Sequence, residues 1–524
     1  MGFGTRGIRD AVSESNQDMG RGVGLWVQFS SLLAYTSGMN WKLVFLPGLL
    51  CVAVASCSGD DSVAGGPAAL TPLDIPAQGV LGSAASLDLV VISIDTLRAD
   101  RLPFYGAEHA TAGDPGAQWS LAWMAQQGTL FDQVWAPAGM TLPSFGTLWT
   151  GLSPLEHGAM GNHRQVVAPT FAMELAALGW NNHAVVANQV LNRGSGVDRG
   201  FSSYEVRAKE QEANGPALLL LSTERGIQER KRSLIWAHYM APHQPYEPNP
   251  IHLGKFSAPD GVPGDRNTLE GIHSNPDRSA VDEKLLAHLR GLYDEEILTA
   301  NDYVMTFLSG LDAQYQAAGR GGLLENAVVL LVSDHGEELA FHENYFMHAK
   351  SIYSGTTHVP LVILGGDWKP GQRIRRALPL AAVLPMVLRG TQPQAQVFFS
   401  AWRDVYFAAR DERWTLIHNP SNNRKGPQEP PQGVPFAYPQ VALFDRLVDP
   451  LELHDVAAEH PEITRHLLDA LHHWYFQLNR DAGSGAVVLT PERQTELAEL
   501  GYATGDDPDA VNLALPWPGT QWNP

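Results

Sequence analysis

Two short runs of mainly apolar, β-branched residues are the clearest strand signals in this chain: Leu89–Ile94 and Ala327–Val332. Such continuous runs are typical of strands that are buried on both faces of a sheet. Patterns typical of helices lie between them, at 117–128, 170–178, 206–231 and 281–316. Strands that alternate with helices predict an α/β fold whose central, mostly parallel sheet is flanked by helices.

The pattern changes after about residue 392. Short alternating segments, followed by one helix, are found at 396–399, 405–408, 414–417 and 461–479. They predict a smaller antiparallel α+β subdomain that packs on the first domain. Loops rich in Pro, Gly and Asn are expected at 244–280 and 419–440.

The N-terminal region has the features of an export signal. A charged start at Met39–Lys42 is followed by a 13-residue apolar stretch, Leu43–Ala55, and then by Ser56 and Cys57. This stretch is too short to cross a bilayer as a stable helix, but it suits a secretory signal. Small residues directly before a cysteine resemble the bacterial lipobox, which implies a lipid on Cys57 and a place in the cell envelope. An unprocessed apolar N-terminus with a chance cysteine is the alternative.

These patterns divide the chain into five predicted parts. They are an upstream segment and signal (1–56), a flexible tether (57–86), a main α/β domain (87–392), a C-terminal subdomain (393–503) and a loosely ordered tail (504–524).

Composition narrows the possible partners. The chain has 56 acidic and 36 basic residues and a formal net charge of −20, which argues against a nucleic-acid partner because little would neutralise a phosphate backbone. An anionic substrate would have to be held by a local metal ion or by a few cations. The two cysteines, Cys51 and Cys57, both precede the folded region, so neither a disulfide nor a thiolate metal site is expected within it.

Both buried strands run directly into polar residues. Asp95 follows the first strand, and Asp334 and His335 follow the second. Ligands of open parallel sheets bind at the carboxyl ends of strands, and carboxylate and imidazole groups together suit one divalent metal ion. Taken singly, an aspartate at a strand end is more often a turn residue or a helix cap.

A hydroxyl-bearing residue stands at a predicted helix start. Thr141 is followed by Pro143 and by an apolar run that ends at Gly151, a pattern typical of a capped helix with proline in its first turn. A plain helix cap is the simpler interpretation. A hydroxyl beside the positive end of the helix dipole and a metal ion would, however, be an activated nucleophile.

Several segments occur in an order that resembles the sulfatase family of the alkaline-phosphatase superfamily. They are Val91–Asp100, Thr141–Ser144, Thr150–Gly158, Ala241–Tyr246, Ser333–Glu337, His348–Tyr353, Leu443–Glu452 and Leu497–Tyr502. The resemblance covers about residues 87–503 and implies an ester hydrolase.

The resemblance also implies roles for individual residues. Asp95, Asp334 and His335 match the ligands of one divalent ion, and Thr141 matches the nucleophile whose oxygen also contacts that ion. The matched catalytic residues further include His243, His348 and Lys350. The matched substrate contacts are Asn162, Ser144 and Asn188. The implied substrate is a small-molecule, glycan or lipid ester.

The chain departs from the family signature Cys-x-Pro-Ser-Arg at two positions. Thr141 replaces the cysteine, and Phe145 replaces the arginine. Threonine cannot be oxidised to formylglycine, so no formylglycine is expected. The family's lysine is also missing near Asn188, and Thr96 follows Asp95 where many relatives have a second aspartate.

These departures leave three functions open. A threonine ester must be released by water or an acceptor alcohol, and phosphoryl groups allow that more readily than sulfuryl groups. The chain is therefore expected to be a metal-dependent hydrolase of sulfate or phosphate esters. Alternatives are a phosphodiesterase or phosphotransferase that uses Thr141 directly, and a catalytically inactive lipoprotein that binds anions or glycans.

Overall fold

The computed structural model describes residues 71–258, 260–275, 281–342, 345–402, 406–419 and 439–478. The predicted signal, Cys57 and the predicted tail 504–524 lie outside these residues, as does most of the predicted loop 419–440. Within the described residues, no helix is both long enough and apolar enough to cross a membrane.

The described residues contain fifteen strands. They are β1 (Asp88–Ile94), β2 (Thr129–Trp135), β3 (Asn181–Val186), β4 (Ser203–Val206), β5 (Ser233–Tyr239), β6 (Ala327–Val332), β7 (Glu338–Leu339), β8 (Phe346–Met347), β9 (His358–Leu364), β10 (Arg373–Ile374), β11 (Leu378–Pro379), β12 (Phe398–Trp402), β13 (Tyr406–Arg410), β14 (Trp414–His418) and β15 (Val441–Asp445).

The described helices flank these strands. They are α1 (Gly79–Gly82), α2 (Leu121–Gln127), α3 (Thr141–Thr150), α4 (Pro154–His157), α5 (Phe171–Ala177), α6 (Gly215–Gln228), α7 (Arg266–Ser274), α8 (Glu283–Ala317), α9 (Leu323–Asn326), α10 (Ser354–Thr357), α11 (Val383–Arg389) and α12 (Pro461–Gln477).

The larger sheet has nine strands in the order β10-β2-β9-β6-β1-β5-β3-β4, with β11 also paired to β2. Its pairs are parallel except for β9, which runs antiparallel to both β2 and β6. Every residue of β1, β5 and β6 is buried, because apolar clusters cover both faces of the sheet. The predicted α/β class and its mostly parallel sheet are confirmed.

One predicted helix and one predicted loop are corrected by the structure. The predicted helix 206–231 begins instead as a 3-10 turn, Lys209–Asn214, and becomes α-helical only at Gly215–Gln228, where Pro216 suits the first turn. The predicted loop 244–280 contains α7. Asp265 caps α7, and the helix buries Leu269 and Ile272. This apolar pattern is short and lies among Pro and Gly residues, so the sequence did not predict a helix here.

The second sheet is antiparallel, in the order β12-β13-β14-β15. Helix α12 packs against β13 and β14, and their apolar residues form a separate cluster. The smaller C-terminal antiparallel subdomain is therefore confirmed. Its fourth strand, β15, was not predicted from the sequence.

Compact structure was expected to begin at Leu87, but residues that precede Leu87 already pack against the domain. Val80 of α1 is 1% exposed, and α1 contacts α11. Leu73 N also donates a hydrogen bond of 2.8 Å to Gln392 Oε1. Residues 71–86 thus differ from the flexible tether expected over 57–86, because apolar side chains such as Val80 join the core.

Candidate active site

Three predicted metal ligands meet at the carboxyl ends of two neighbouring strands. Asp95 follows β1, Asp334 and His335 follow β6, and the two strands pair in parallel. Their ligand atoms lie within 4.8 Å of one another. His335 Nε2 is 3.4 Å from Asp334 Oδ2 and 3.7 Å from Asp95 Oδ1. All three residues are fully buried.

The donor set fits one divalent ion. Asp95 Oδ1 and Asp334 Oδ2 are buried and have no hydrogen-bond partner, which is costly for a carboxylate unless a cation compensates it. His335 Nδ1 donates to Gly336 O at 2.8 Å, so its Nε2 lone pair faces the two carboxylates. Burial lowers the pKa of His335 to about 3, which keeps the ring neutral and able to coordinate.

The two carboxylates interact strongly. Burial and the neighbouring Asp95 charge raise the pKa of Asp334 well above its usual value. Because the Asp95 and Asp334 carboxylates lie close together, their two negative charges favour a bound cation. Oxygen and imidazole donors are compatible with calcium, magnesium, manganese or zinc.

Asp95 is held by two residues on the other side of its carboxylate. Asn188 Nδ2 donates to Asp95 Oδ2 at 2.6 Å, and its Oδ1 accepts from Val190 N at 2.8 Å. Asn188 therefore supports the Asp95 carboxylate, and its contact with substrate stays a prediction. His238 Nε2 lies 3.4 Å from the same oxygen. Sequence reasoning missed His238, although a histidine within an apolar strand was a possible signal.

Thr141 begins α3 beside this group. Its Oγ1 is 3.3 Å from His335 Nε2, and the residue is fully buried. Met140, not Thr141, is the N-cap, and no side chain caps the helix in that position. The Thr141 hydroxyl therefore does not cap the helix, and it lies at the positive end of the helix dipole.

Two further predicted contacts lie around the start of α3. Asn162 Oδ1 accepts from Leu142 N at 2.9 Å, whereas its Nδ2 is buried and has no hydrogen-bond partner. That N–H remains suited to a substrate oxygen. Ser144 Oγ donates to Ala138 O at 2.8 Å, which fixes the entry to α3, and its contact with substrate stays a prediction.

Two histidines complete the site. The His243 ring centroid is 4.6 Å from that of His348, which is 4.7 Å from that of His335. His243 Nδ1 donates to Gln244 O at 2.5 Å, and its buried Nε2 has no hydrogen-bond partner. Lys350 follows on the loop of His348 and is half-buried.

The two imidazoles differ in charge. Burial lowers the pKa of His243 well below its usual value. Burial also disfavours the charged form of His348, but the Glu337 carboxylate, 3.3 Å from Nδ1, more than offsets it and raises the pKa of His348. The site therefore pairs a neutral His243 with a His348 that retains its proton more readily, which is an arrangement suited to proton transfer.

Comparisons with known proteins identify the family and the fold. A family model described as Sulfatase matches residues 88–389, more than half of the chain. Arylsulfatase K of Canis lupus familiaris is 28% identical over 163 residues, which are 27% of this chain and 30% of that protein. The chain spans less than a third of the length of the curated relatives it matches.

Two solved structures resemble the fold closely. The phosphonate monoester hydrolase of Agrobacterium radiobacter has a TM-score of 0.55 at 18% identity, covering 75% of this chain and 96% of that one. The phosphonate monoester hydrolase of Silicibacter pomeroyi has a TM-score of 0.56 at 15% identity, covering 78% and 98%. At these identities the likeness concerns the fold.

Proposed function

Because this chain belongs to the sulfatase family, we propose that it is a metal-dependent hydrolase of sulfate or phosphate esters. One observation carries the proposal: the Thr141 hydroxyl lies at a helix N-terminus, 3.3 Å from the imidazole of a buried two-aspartate, one-histidine group. The names of the relatives, arylsulfatase and phosphonate monoester hydrolase, support an ester substrate.

The residues divide the chemistry between them. Asp95, Asp334 and His335 would hold a divalent ion, which supplies polarisation of the ester oxygens and favours ionisation of the nearby hydroxyl. Thr141 Oγ1 then forms a bond to phosphorus or sulfur as the bond to the leaving oxygen breaks. The helix N-terminus stabilises the charge that develops there.

Proton transfer falls to the two histidines. His348, whose raised pKa favours its protonated form, donates to the leaving oxygen, and the Nε2 lone pair of His243 accepts a proton from the water that attacks the Thr141 ester. Attack by water breaks the bond between Thr141 Oγ1 and phosphorus or sulfur and releases the phosphate or sulfate. The proton that Thr141 lost to solvent on ionisation returns to Oγ1, and the proton that His243 took from water passes to His348, which restores both histidines for the next turnover. Asn162 Nδ2 donates to a non-bridging oxygen of the substrate.

A second candidate, phosphodiesterase or phosphotransferase activity that uses Thr141 directly, is favoured by residue 145. Phe145 stands where the family signature has arginine, and it is fully buried with its ring 5.1 Å from Trp236 and 5.0 Å from His238. It offers no cation to the substrate. A threonine nucleophile without that cation suits phosphoryl esters, because a sulfated threonine has no formylglycine route for release.

We also propose that the protein is lipid-anchored at Cys57 in a bacterial cell envelope. The support is the sequence alone, since Cys57 lies outside the described residues. A small-molecule, glycan or lipid ester would then be met outside the cytoplasm.

The test is a metal analysis of purified protein together with a screen of matched aryl esters of sulfate, phosphate and phosphonate. About one divalent ion per chain and turnover of at least one ester class are expected. A metal-free chain that turns over no ester would refute the proposal.

A further inference from the structure

A 3-10 turn that is distant in sequence from the active-site residues forms hydrogen bonds with the segment that carries His243. Lys209 and Glu212, both on the turn Lys209–Asn214, lie three residues apart, and residues at this spacing lie on one side of a 3-10 helix. Lys209 Nζ donates to His243 O at 2.5 Å and to Pro245 O at 2.6 Å.

Glu212 holds the other end of the same segment. Its Oε2 accepts from Met240 N at 2.6 Å and from Ala241 N at 3.3 Å. Glu212 is 4% exposed. The segment Met240–Pro245 is thus fixed by a carboxylate at its start and by an ammonium at its end, and His243 lies between these contacts.

The segment has few donors of its own. Pro242 and Pro245 carry no N–H, so the segment offers fewer backbone donors to nearby carbonyls. A buried carbonyl without a donor costs free energy, and Lys209 supplies the missing donors. Within the segment, His243 N donates to Met240 O at 2.8 Å.

Lys209 has no donor left for a substrate. Its third contact is with Glu296 Oε1 at 2.8 Å, and the same oxygen accepts from Glu247 N at 2.7 Å. An ammonium has three N–H donors, and here each one has a protein acceptor. The Lys209 side chain is 15% exposed. Because all three of its donors are engaged by the protein, Lys209 can affect the reaction only through the backbone to which it is hydrogen-bonded.

We propose that Lys209 and Glu212 are positioning residues that fix the His243 imidazole for proton transfer. This inference rests on the proposed hydrolase function. His243 Nδ1 donates a hydrogen bond to the adjacent Gln244 O. A shift of this backbone therefore rotates the ring and turns Nε2 away from the attacking water. A misplacement of about 1 Å can reduce a rate by roughly 100-fold.

The test compares two esters that differ only in their leaving group, a 4-nitrophenyl ester and the matching phenyl ester of whichever acid the wild type cleaves. The leaving group departs before water attacks the Thr141 ester, so a variant that is limited by this second step should cleave both esters at one common kcat and release a burst of 4-nitrophenol. His243→Ala gives the reference pattern, equal kcat values on the two esters with a burst. Lys209→Met and Glu212→Leu should share this pattern, with kcat on the 4-nitrophenyl ester reduced roughly 10- to 100-fold and kcat/KM little changed.

Several variants separate positioning from a general loss of structure. Glu212→Gln keeps an acceptor oxygen and should retain most of the wild-type kcat, whereas Glu212→Leu should not. Lys231→Met is the matched control, because the Lys231 side chain is 58% exposed and forms its ion pair with Glu229 on the surface. Lys209→Met combined with Glu296→Gln avoids leaving a buried unpaired carboxylate if the single variant does not fold.

An unchanged kcat in Lys209→Met and Glu212→Leu, or a reduced kcat that still differs between the two esters and shows no burst, would overturn the inference while leaving the hydrolase proposal intact. A wild type that cleaves neither ester of any acid would instead refute the proposed function, and the positioning role with it.

Discussion

The loop that carries His348 has a strained backbone, which predicts a strong effect for one substitution in the C-terminal subdomain. Met347 and Ala349 adopt positive φ angles of 77° and 70°. Each left-handed residue other than glycine costs about 1–2 kcal/mol, so the two together cost about 2–4 kcal/mol. Contacts from outside the loop must offset this cost.

The C-terminal subdomain supplies such contacts. Trp402 Nε1 donates to Ala349 O, and Arg410 Nη2 donates to Ile352 O. Trp402→Phe keeps most of the aromatic ring but leaves the Ala349 carbonyl without this donor, which costs about 1–3 kcal/mol. The free energy lost with this hydrogen bond is comparable with the backbone strain at Met347 and Ala349. The loop should therefore leave its active conformation for a substantial part of the time.

The measurement is kcat on the best ester together with the free energy of unfolding from a denaturant titration. Trp402→Phe should lower kcat several-fold and lower stability by about 1–3 kcal/mol. Adding Ala349→Gly relieves about 1–2 kcal/mol of strain but costs about 0.5–1 kcal/mol of chain entropy, so kcat should partly recover. Trp474→Phe is the control, since Trp474 stacks on Phe399 within the subdomain. Equal effects of Trp402→Phe and Trp474→Phe, or no recovery with glycine, would refute the reasoning.

Three further predictions follow from single side chains. Asp334→Ala should remove most of the bound metal, measured by elemental analysis, whereas the exposed Asp367→Ala should not; unchanged stoichiometry in Asp334→Ala would contradict the ligand assignment. Burial raises the pKa of Glu212 from its ordinary 4.5 to about 7, so the stability that its protonated form contributes is fully present below pH 4.5 and is lost as the pH rises to 7, a change of about 3–4 kcal/mol. Glu212→Gln should flatten this part of the stability-pH curve, and an unchanged curve would disprove the raised pKa. Cys57→Ala should move the protein from the membrane fraction to the soluble fraction, and a variant that stays with the membrane would exclude the anchor.

The sequence predicted those parts of the fold and site that depend on local patterns. β1 and β6 are continuous apolar runs, so both were evident, and Asp95 and Asp334 follow them directly. Neighbouring parallel strands bring their carboxyl ends to one edge, which explains why residues so distant in sequence could be paired in advance. The antiparallel direction of β9 has no comparable local signal.

The rest of the site depends on contacts between distant segments. Asn188 was expected to contact substrate, and the support that its amide gives to Asp95, 93 residues away, was not predicted. Lys209 was assigned to a helix, and its contact with the His243 carbonyl lies 34 residues along the chain. Such hydrogen bonds are set by how the loops pack at the end of the sheet, which no periodicity records.

The most direct test of the account is the rate of wild type and Thr141 variants on matched phosphate and sulfate esters. We expect phosphate diesters or monoesters to turn over faster than the matched sulfate esters. Loss of an activated nucleophile usually costs on the order of 4 kcal/mol or more, so Thr141→Ala should abolish turnover while Thr141→Ser retains some. Thr141→Ala that is as active as the wild type would contradict the account, because the nucleophile would then lie elsewhere.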